Sequence, residues 1–100
     1  MREITIDEAA NAIAGRATVV DVREPVEYRE GHIPGAVNIP MSHLSSRSSE
    51  LDPQRPVYVV CASGNRSSAM TEALTAAGFD AINIAGGTSA WIRSGRPVEK

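Results

Sequence analysis

Hydrophobic and polar residues succeed one another along the chain in short segments that predict strands separated by helices. The clearest segment is Val57–Val60, four β-branched or aromatic residues that stop at Cys61. A short polar loop follows, and apolar residues then recur at helical spacing until Gly78, which favours a helix end. Those residues are Ala69, Met70, Ala73, Leu74, Ala76 and Ala77. We therefore predict a strand that places Cys61 in a tight loop at the start of a helix.

Four further segments have the length and composition of strands. They are Ile4–Thr5, Thr18–Val22, Ala36–Ile39 and Ala81–Ile84. Helical segments separate the strands, and this alternation is typical of an α/β fold with a parallel sheet covered by helices on both faces. In such sheets, ligands bind beyond the carboxyl ends of the strands. Because Cys61 directly follows a strand, we expect it at that edge of the sheet.

The shorter helices are predicted from their start and stop signals. Thr5 and Glu8 have the spacing of a capping box, in which each side chain binds the backbone amide of the other residue. Pro25 suits the first turn of a short helix, and Gly31 favours its end. Thr88 is placed to cap a last short helix. Together with the helix after the cysteine, these segments would cover the sheet.

The connections before and after residue 40 are predicted to be a tight turn and a longer irregular segment. Pro34-Gly35 has the proline and the glycine that a type II turn favours at its two central positions. Residues 41–55 include the polar, low-complexity segment Ser45–Ser49, so we expect a solvated, irregular connection with one helical turn. A modified or partner-binding serine cluster is the alternative. The residues expected to anchor this connection to the core are Met41, Leu44 and Leu51.

Size and charge limit the classes of protein to which the chain belongs. The chain has 100 residues, of which 42% are hydrophobic and 22% charged, and we expect one domain over residues 1–100. Its net charge of -2, with no basic segment, argues against a nucleic-acid-binding surface. No apolar segment has the length of a transmembrane helix, and residues 1–8 lack the apolar core of a signal peptide. We therefore predict a protein that binds neither nucleic acid nor a membrane.

Cys61 is the only cysteine of the chain. Because it cannot form an intramolecular disulfide, its thiol suits a reducing compartment, and we expect the cytoplasm. At the start of a helix, unpaired amides and the helix dipole favour an anion, and a thiolate there is a usable nucleophile at neutral pH. Gly64 permits the backbone to turn its amides inward, and Arg66 adds a positive charge. An inert buried thiol is the alternative, which this loop composition disfavours.

Three motifs, in this order, resemble the single-domain rhodanese (thiosulfate sulfurtransferase) family. They are Asp21-Val22-Arg23 with Glu24, Glu27 and Tyr28; Gly31-His32-Ile33-Pro34-Gly35-Ala36 continuing to Asn38-Ile39-Pro40; and Cys61-Ala62-Ser63-Gly64-Asn65-Arg66-Ser67. The segment from Gly86 to Trp91, with Gly95 and Pro97-Val98 after it, is similar to the end of such domains. The resemblance covers nearly the whole chain and implies a three-layer α/β/α sandwich around a five-stranded parallel sheet.

The resemblance also implies a ping-pong transfer of sulfur. The Cys61 thiolate would take the outer sulfur of thiosulfate or of a persulfide and hold it as a cysteine persulfide. The sulfur would then pass to a thiophilic acceptor, which is cyanide in vitro or a cellular thiol or protein. No metal or organic cofactor is expected. His32 and His43 do not have the spacing of a zinc site with the single cysteine.

The same resemblance suggests roles for individual residues, with Cys61 as the catalytic residue. The candidate substrate-binding residues are Ala62, Ser63, Gly64, Asn65, Arg66, Ser67 and Arg23. Asp21 and His32 are expected to give structural support, and Arg23 is better suited than Asp21 to touch an anion. The Arg66 side chain could point into the loop or towards solvent, and the sequence does not decide between the two.

Two other functions remain open on this fold. A phosphatase or arsenate reductase is disfavoured because such relatives have a seven-residue loop, whereas Cys61–Arg66 has six residues. A non-catalytic rhodanese-like binding module is disfavoured because such modules usually lose the cysteine. Apart from Arg66, the loop side chains are neutral. We therefore expect thiosulfate to be a poor donor, or a surrogate for a protein or low-molecular-weight persulfide.

Overall fold

Five parallel strands form the central sheet of the structure, a computed structural model that describes residues 1–100. The strands are β1 (Arg2–Ile4), β2 (Thr18–Asp21), β3 (Val37–Asn38), β4 (Val57–Val60) and β5 (Ala81–Ile84). Their order across the sheet is β1-β5-β4-β2-β3, and every neighbouring pair is parallel. All five predicted strands are therefore confirmed, although the ends of most of them shift slightly.

Five helices and two 3₁₀ turns connect the strands. The helices are α1 (Ile6–Ala14), α2 (Pro25–Glu30), α3 (Leu44–Arg47), α4 (Asn65–Ala76) and α5 (Gly87–Arg93), and the 3₁₀ turns are Met41–His43 and Ser48–Glu50. The capping box predicted for α1 is confirmed. Thr5 Oγ1 accepts the Glu8 amide at 3.2 Å, and Glu8 Oε1 accepts the Thr5 amide at 3.0 Å. None of the helices combines the length and apolar composition that a membrane-spanning segment needs.

Side chains of the sheet alternate between its two faces and build a core on each. Val59 of β4 lies in a buried cluster with Leu44 of α3 and Leu74 of α4. Val60, the next residue, lies in a second buried cluster with residues of α1 and with Trp91 of α5. Removing both sets of apolar side chains from water stabilises the sandwich from both sides of the sheet. The structure is thus the α/β/α sandwich that the sequence predicts.

The strand order places Cys61 where three connections meet. Strand β4 lies between β5 and β2, so the segments that follow these strands are neighbours at the carboxyl edge of the sheet. Asp21 at the end of β2 pairs in register with Val60 at the end of β4. The Val22 amide then donates to the Val60 carbonyl oxygen at 2.9 Å, which keeps the chain beyond β2 beside the cysteine. This edge is where parallel α/β sheets bind ligands.

The buried face of α4 includes two hydroxyl residues as well as an apolar one. Ser67, Thr71 and Leu74 are buried, whereas Ala69 and Ala73 are exposed. A threonine can be buried here because its hydroxyl donates to the carbonyl oxygen of Ser67, one turn earlier, at 2.7 Å. The spacing therefore predicts the helix and includes its buried Leu74, but it does not report the buried hydroxyl residues Ser67 and Thr71.

Two local predictions are wrong and one is confirmed. The N-cap of α5 is Gly86, with a φ of 80°, so the helix has already begun when the chain reaches Thr88, whose hydroxyl is buried and unpaired. Met41 is 37% exposed and does not anchor the 41–55 connection, although Leu44 and Leu51 are buried as expected. The turn at Pro34-Gly35 is confirmed by the left-handed φ of 83° at its glycine.

Candidate active site

Cys61 lies at the carboxyl end of β4, with only 1% of the residue exposed. The chain turns sharply after it because Gly64 adopts a φ of 105°, a left-handed conformation that glycine adopts without steric cost. This turn brings the Gly64 amide to 3.1 Å from Cys61 Sγ. The first turn of α4 adds the hydroxyl of Ser67, which donates to the same sulfur at 3.3 Å. The loop therefore surrounds the thiol with hydrogen-bond donors.

These donors control the ionisation of the thiol. Burial raises the pKa of Cys61 because it removes the thiolate from water. The Ser67 hydroxyl and the backbone amides of Ser67, Gly64 and Ser63 lower this pKa because they donate hydrogen bonds to the thiolate. The hydrogen bonds outweigh burial, so the pKa of Cys61 lies below that of an ordinary cysteine. Because the thiolate is the reactive form, the lowered pKa makes Cys61 a better nucleophile than an ordinary cysteine at the same pH.

The back of the loop rests on the N-terminus of α5. The amides of Thr88 and Ser89 donate to the carbonyl oxygens of Cys61 and Ala62 at 2.9 and 3.0 Å. Gly87 lies against the same backbone, where a Cβ would stand 2.6 Å from each carbonyl oxygen. Such a contact is too short for any real side chain, so only glycine allows this approach. With its carbonyl groups bound to α5, the loop turns its amides towards the sulfur.

The other loop side chains are small and uncharged. Ala62 is half-buried, Ser63 and Asn65 are exposed, and Gly64 and Ser67 are buried. None of the side chains of Ala62, Ser63 and Asn65 donates a hydrogen bond to the cysteine. The structure thus brings Gly64 and Ser67 to the sulfur directly, while the exposed members lie at the rim of the loop.

Arg66 is bound to a carboxylate, a third arrangement beside the two orientations that the sequence left open. Its Nη1 and Nη2 donate to Oε1 and Oε2 of Glu27 in α2 at 2.8 and 2.9 Å. The two side chains are 36% and 34% exposed, so the pair is only partly screened by water. Hydrogen bonding from the guanidinium lowers the pKa of Glu27 to about 2. At neutral pH, the positive charge of Arg66 is therefore balanced by a carboxylate.

Arg23 forms a buried ion pair with Asp21, and its predicted contact with a substrate anion stays a prediction. Its Nη2 lies 2.8 Å from Oδ2 of Asp21 and 2.9 Å from the carbonyl oxygen of Gly31, and its Nε lies 3.0 Å from Asp21 Oδ1. Asp21 is completely buried and Arg23 is 6% exposed. A buried guanidinium needs a carboxylate partner, and Asp21 supplies it from two residues earlier in the chain. Both residues hold the end of β2 in place.

His32 lies in the connection that follows α2. Its Nδ1 is 2.9 Å from the carbonyl oxygen of Tyr28, and its ring stacks on the Tyr28 ring with centroids 3.7 Å apart. The backbones of His32 and Glu99 exchange two hydrogen bonds of 2.9 Å, so this residue also ties down the C-terminal segment. None of these contacts involves the cysteine loop. His43 is exposed.

Two residues of the site, Glu27 and Gly87, have no role that the sequence alone predicts. Glu27 lies 39 positions before Arg66, so no local spacing links the two side chains. The glycine pair at Gly86-Gly87 predicts a turn, but the reason for the second glycine lies in its contact with the Cys61 loop. A sequence signal was present in both cases: an acid inside a family motif, and a glycine pair soon after a strand.

The space beside the loop is small and open. A cleft of about 160 Å³ is lined by Val22, Glu24, Met41, Ser42 and Arg66. A separate apolar groove of about 230 Å³ lies between residues 41–48 and α4, and Cys61 lines neither of these two spaces. No group of three or more His, Cys, Asp or Glu side chains in the structure is arranged to hold a metal ion. The chemistry that this edge of the sheet supports directly is that of a thiolate nucleophile.

Comparison with known proteins identifies the family to which this loop and sheet belong. Residues 5–94 match the rhodanese-like domain. The structure resembles the crystal structure of a rhodanese-related protein from Thermoplasma volcanium with a TM-score of 0.93. The two chains are 37% identical, and the match covers 99% of this chain and 98% of that one. The likeness therefore extends over both proteins almost from end to end.

Two relatives come from Bacillus subtilis (strain 168). "Uncharacterized protein YqhL" is 39% identical over 92 residues, which are 91% of this chain and 72% of that protein. "Putative sulfur carrier protein YrkF" is 34% identical over 91 residues, and this match spans 90% of this chain but only 45% of YrkF. The fold, the cysteine loop and these matches agree, and the chain belongs to the family of rhodanese-like domains.

Proposed function

We propose that this chain is a sulfurtransferase of the rhodanese type, in which Cys61 accepts a sulfane sulfur and passes it to a thiophilic acceptor. The observation that carries the proposal is the environment of Cys61 Sγ, which receives hydrogen bonds from the Gly64 amide at 3.1 Å and the Ser67 hydroxyl at 3.3 Å. The same donors stabilise a thiolate before the reaction and an anionic persulfide after it. Membership of the rhodanese-like family supports this proposal, as does the likeness to YrkF, whose name describes a sulfur carrier.

The first half of the reaction loads the cysteine. The Cys61 thiolate attacks the outer sulfur of thiosulfate, a sulfur–sulfur bond forms on the cysteine, and the sulfur–sulfur bond of thiosulfate breaks. Sulfite leaves with the electron pair of that bond, and the cysteine becomes an anionic persulfide. Because the hydrogen bonds to Cys61 lower its pKa and favour the thiolate, this step starts from the thiolate and needs no general base. A thiol persulfide reacts in the same way, with the thiol as its leaving group.

The second half of the reaction unloads the sulfur. Cyanide or a second thiolate attacks the outer sulfur of the Cys61 persulfide, and the Cys61 thiolate leaves. The products are thiocyanate or a new persulfide, and the site returns to its first state. The sulfur moves between nucleophiles without a separate electron carrier. A free thiol that must alternate with a persulfide suits a reducing compartment, and our proposal therefore includes a cytoplasmic location.

Phosphoryl transfer is less compatible with this site. Enzymes that transfer phosphoryl groups stabilise charge on several oxygens with cations placed at the reacting group. Here the guanidinium of Arg66 is bound by both oxygens of Glu27, and that of Arg23 is bound by Asp21. The loop Cys61–Arg66 is also one residue shorter than the seven-residue loops of phosphatases related to the rhodanese family.

Mass spectrometry tests the proposal directly. The protein is incubated with thiosulfate or with cysteine persulfide, and the intact mass is measured before and after addition of cyanide. We expect one added sulfur on the wild type, its loss on addition of cyanide with formation of thiocyanate, and no added sulfur on Cys61→Ser. Absence of added sulfur with both donors would instead favour a non-catalytic binding module. Release of phosphate from an aryl phosphate, dependent on Cys61, would favour the phosphatase alternative.

A further inference from the structure

The charges around the Cys61 loop are balanced in pairs. Arg66 is bound by Glu27 through two hydrogen bonds of 2.8 and 2.9 Å. Arg23 is bound by Asp21 and is buried. The remaining loop residues Ala62, Ser63, Gly64, Asn65 and Ser67 carry no charge. An anionic donor that approaches the thiolate therefore meets amide and hydroxyl dipoles, but no cation that lacks a carboxylate partner.

Glu27 is held in position by its own helix as well as by Arg66. Its Oε1 accepts the backbone amide of Glu24 at 3.0 Å, which binds the carboxylate to the start of α2. The two-point contact with the guanidinium matches the planar geometry of both groups, and such pairs are stronger than single charge contacts. Because the pKa of Glu27 is about 2, the carboxylate stays ionised at every pH at which the thiolate can react.

Arg66 is the one charged side chain within the Cys61–Arg66 loop. It is the last residue of the Cys61–Arg66 loop and lies in the first turn of α4. Its side chain lines the open cleft of about 160 Å³ together with Met41 and Ser42. If Glu27 did not bind it, this side chain could turn towards an anion at the mouth of the loop.

We propose that Glu27 is a positioning residue that sets donor specificity: by binding Arg66, it disfavours the thiosulfate dianion and favours the persulfide of a thiol. The inference rests on the proposed sulfurtransferase function and names the donor class for the same site. Thiosulfate brings two negative charges to a thiolate, whereas the reacting group of a persulfide carries at most one. Coulomb repulsion grows with the product of the charges. Because no free cation offsets the charge of the thiolate, the site repels thiosulfate more strongly than it repels a persulfide.

The preferred half-reaction balances without another reactant. The Cys61 thiolate attacks the outer sulfur of R–S–SH, and a sulfur–sulfur bond forms on Cys61 as the one in the donor breaks. The donor leaves as R–S⁻ and takes the persulfide proton to become a thiol. The cysteine is left as an anionic persulfide, which the Gly64 and Ser67 donors stabilise as they stabilise the thiolate.

A matched pair of single variants tests the role of Glu27. Glu27→Gln keeps the shape of the side chain but removes the charge that binds Arg66. We expect the kcat/KM for thiosulfate to rise about fivefold to tenfold, mainly through a lower KM, as expected for one charge-assisted contact with a free guanidinium. With cysteine persulfide as donor, kcat/KM should stay within about twofold, since its reacting sulfur gains little from one cation. Glu27→Asp, which keeps the charge, should retain the wild-type donor preference.

The control is Glu50→Gln, which removes a carboxylate from another two-point pair. Glu50 binds Arg47 at 2.7 and 3.0 Å in the segment that follows α3, outside the cysteine loop. Glu50→Gln causes the same change in net charge as Glu27→Gln, so a general electrostatic effect would appear in both variants. We expect no change in donor preference for Glu50→Gln. An equal rise for both variants would overturn the inference.

Two further measurements keep the test decisive if Glu27→Gln folds poorly. The double variant Glu27→Gln/Arg66→Gln removes both charges and should have the wild-type KM for thiosulfate, because the pair is already neutral. In the wild type itself, salt should leave unchanged or raise the kcat/KM for thiosulfate, because it screens repulsion between the dianion and the thiolate. A fall in kcat/KM with salt, or a large rise in KM for the double variant, would show that Arg66 attracts the anion and would overturn the inference.

The outcomes separate this inference from the function on which it rests. If wild type accepts sulfur from neither donor, the proposed sulfurtransferase function fails and the inference fails with it. If wild type accepts sulfur on Cys61 while folded Glu27→Gln leaves the thiosulfate KM unchanged, only the role of Glu27 is wrong.

Discussion

Gly87 lies so close to Cys61 that a Cβ at position 87 would stand 2.6 Å from the Cys61 carbonyl oxygen. The next amide, that of Thr88, donates to this oxygen at 2.9 Å. The contact joins two segments that follow neighbouring strands of the sheet, β4 and β5. It binds the carbonyl side of the loop, so that the opposite, amide side surrounds Sγ. The geometry of the thiol therefore depends on a helix that contributes no side chain to the sulfur.

Gly87→Ala should disrupt the active site more than a substitution that only strains the backbone, because the new Cβ would also collide with the cysteine loop. We expect a loss of stability of about 2–4 kcal/mol, because the loop backbone must move and a left-handed φ of 64° must be held by alanine. The rate of sulfur loading should fall at least about tenfold at temperatures where the variant is folded, because displaced amides no longer stabilise the thiolate. Urea unfolding and the rate of persulfide formation measure the two effects.

Gly78→Ala is the control for the strained backbone. Gly78 has a φ of 97°, but nothing lies within 4 Å of its would-be Cβ. We expect a loss of about 1 kcal/mol from the unfavourable φ and unchanged sulfur loading. If both alanine variants lose the same stability and neither loses activity, the contact between position 87 and the loop has no functional role.

Ser67→Ala should raise the pKa of Cys61. The hydroxyl of Ser67 donates to Cys61 Sγ at 3.3 Å and favours the thiolate, so its removal shifts the ionisation of the thiol to higher pH. Iodoacetamide alkylation followed against pH measures this directly. The rate should fall about tenfold below the wild-type pKa and should match the wild type at high pH, where both thiols are ionised.

Ser68→Ala serves as the comparison for the Ser67 variant. The Ser68 hydroxyl lies in the same helical turn but contacts Met1 Sδ at 3.2 Å rather than Cys61. Its alkylation profile should coincide with that of the wild type. An unchanged pH profile for Ser67→Ala would mean that the backbone amides alone hold the thiolate.

Asp21→Asn should be strongly destabilising. Asp21 is completely buried and binds the guanidinium of Arg23, which is 6% exposed. Removing the carboxylate charge leaves a buried cation without compensation, which costs about 3–5 kcal/mol. Asp80→Asn removes one partner of the exposed Arg2–Asp80 pair and should cost about 1 kcal/mol or less. Equal losses in urea unfolding would show that the burial of the Asp21 pair has no energetic effect.

The Arg66–Glu27 pair should stabilise the fold in a pH-dependent way. The pKa of Glu27 is lowered to about 2 in the folded state from 4.5 in the unfolded state. Between these two pH values, the unfolded state therefore binds more protons than the folded state. The contribution is fully present above about pH 5 and is lost as pH falls to about 2. Since both side chains are about one-third exposed, we expect only about 1 kcal/mol. The difference in unfolding free energy between wild type and Glu27→Gln should therefore shrink over this range; a constant difference would contradict the assignment.

Local signals account for most of what could be predicted. The β-branched segment Val57–Val60, the Thr5–Glu8 capping box and the Pro34-Gly35 turn act through neighbouring residues, and all three are present in the structure. Spacing also predicted α4, but not all of its buried face. That face is decided by hydroxyl groups with specific partners, such as Thr71 on the Ser67 carbonyl oxygen, and hydrophobicity alone does not report such partners.

The sequence by itself determined the α/β class, the order of the elements and the position of Cys61 between a strand and a helix, because periodicity, caps and turns depend on short stretches of chain. Only the tertiary structure decided which charged side chains pair near the cysteine and what holds the cysteine loop in place. Glu27 reaches Arg66 across 39 positions, and Gly87 meets the cysteine loop only because β5 lies beside β4. These contacts depend on strand order and close packing, which bring distant residues together. They determine how the cysteine loop is held against α5 and which charges are balanced around it.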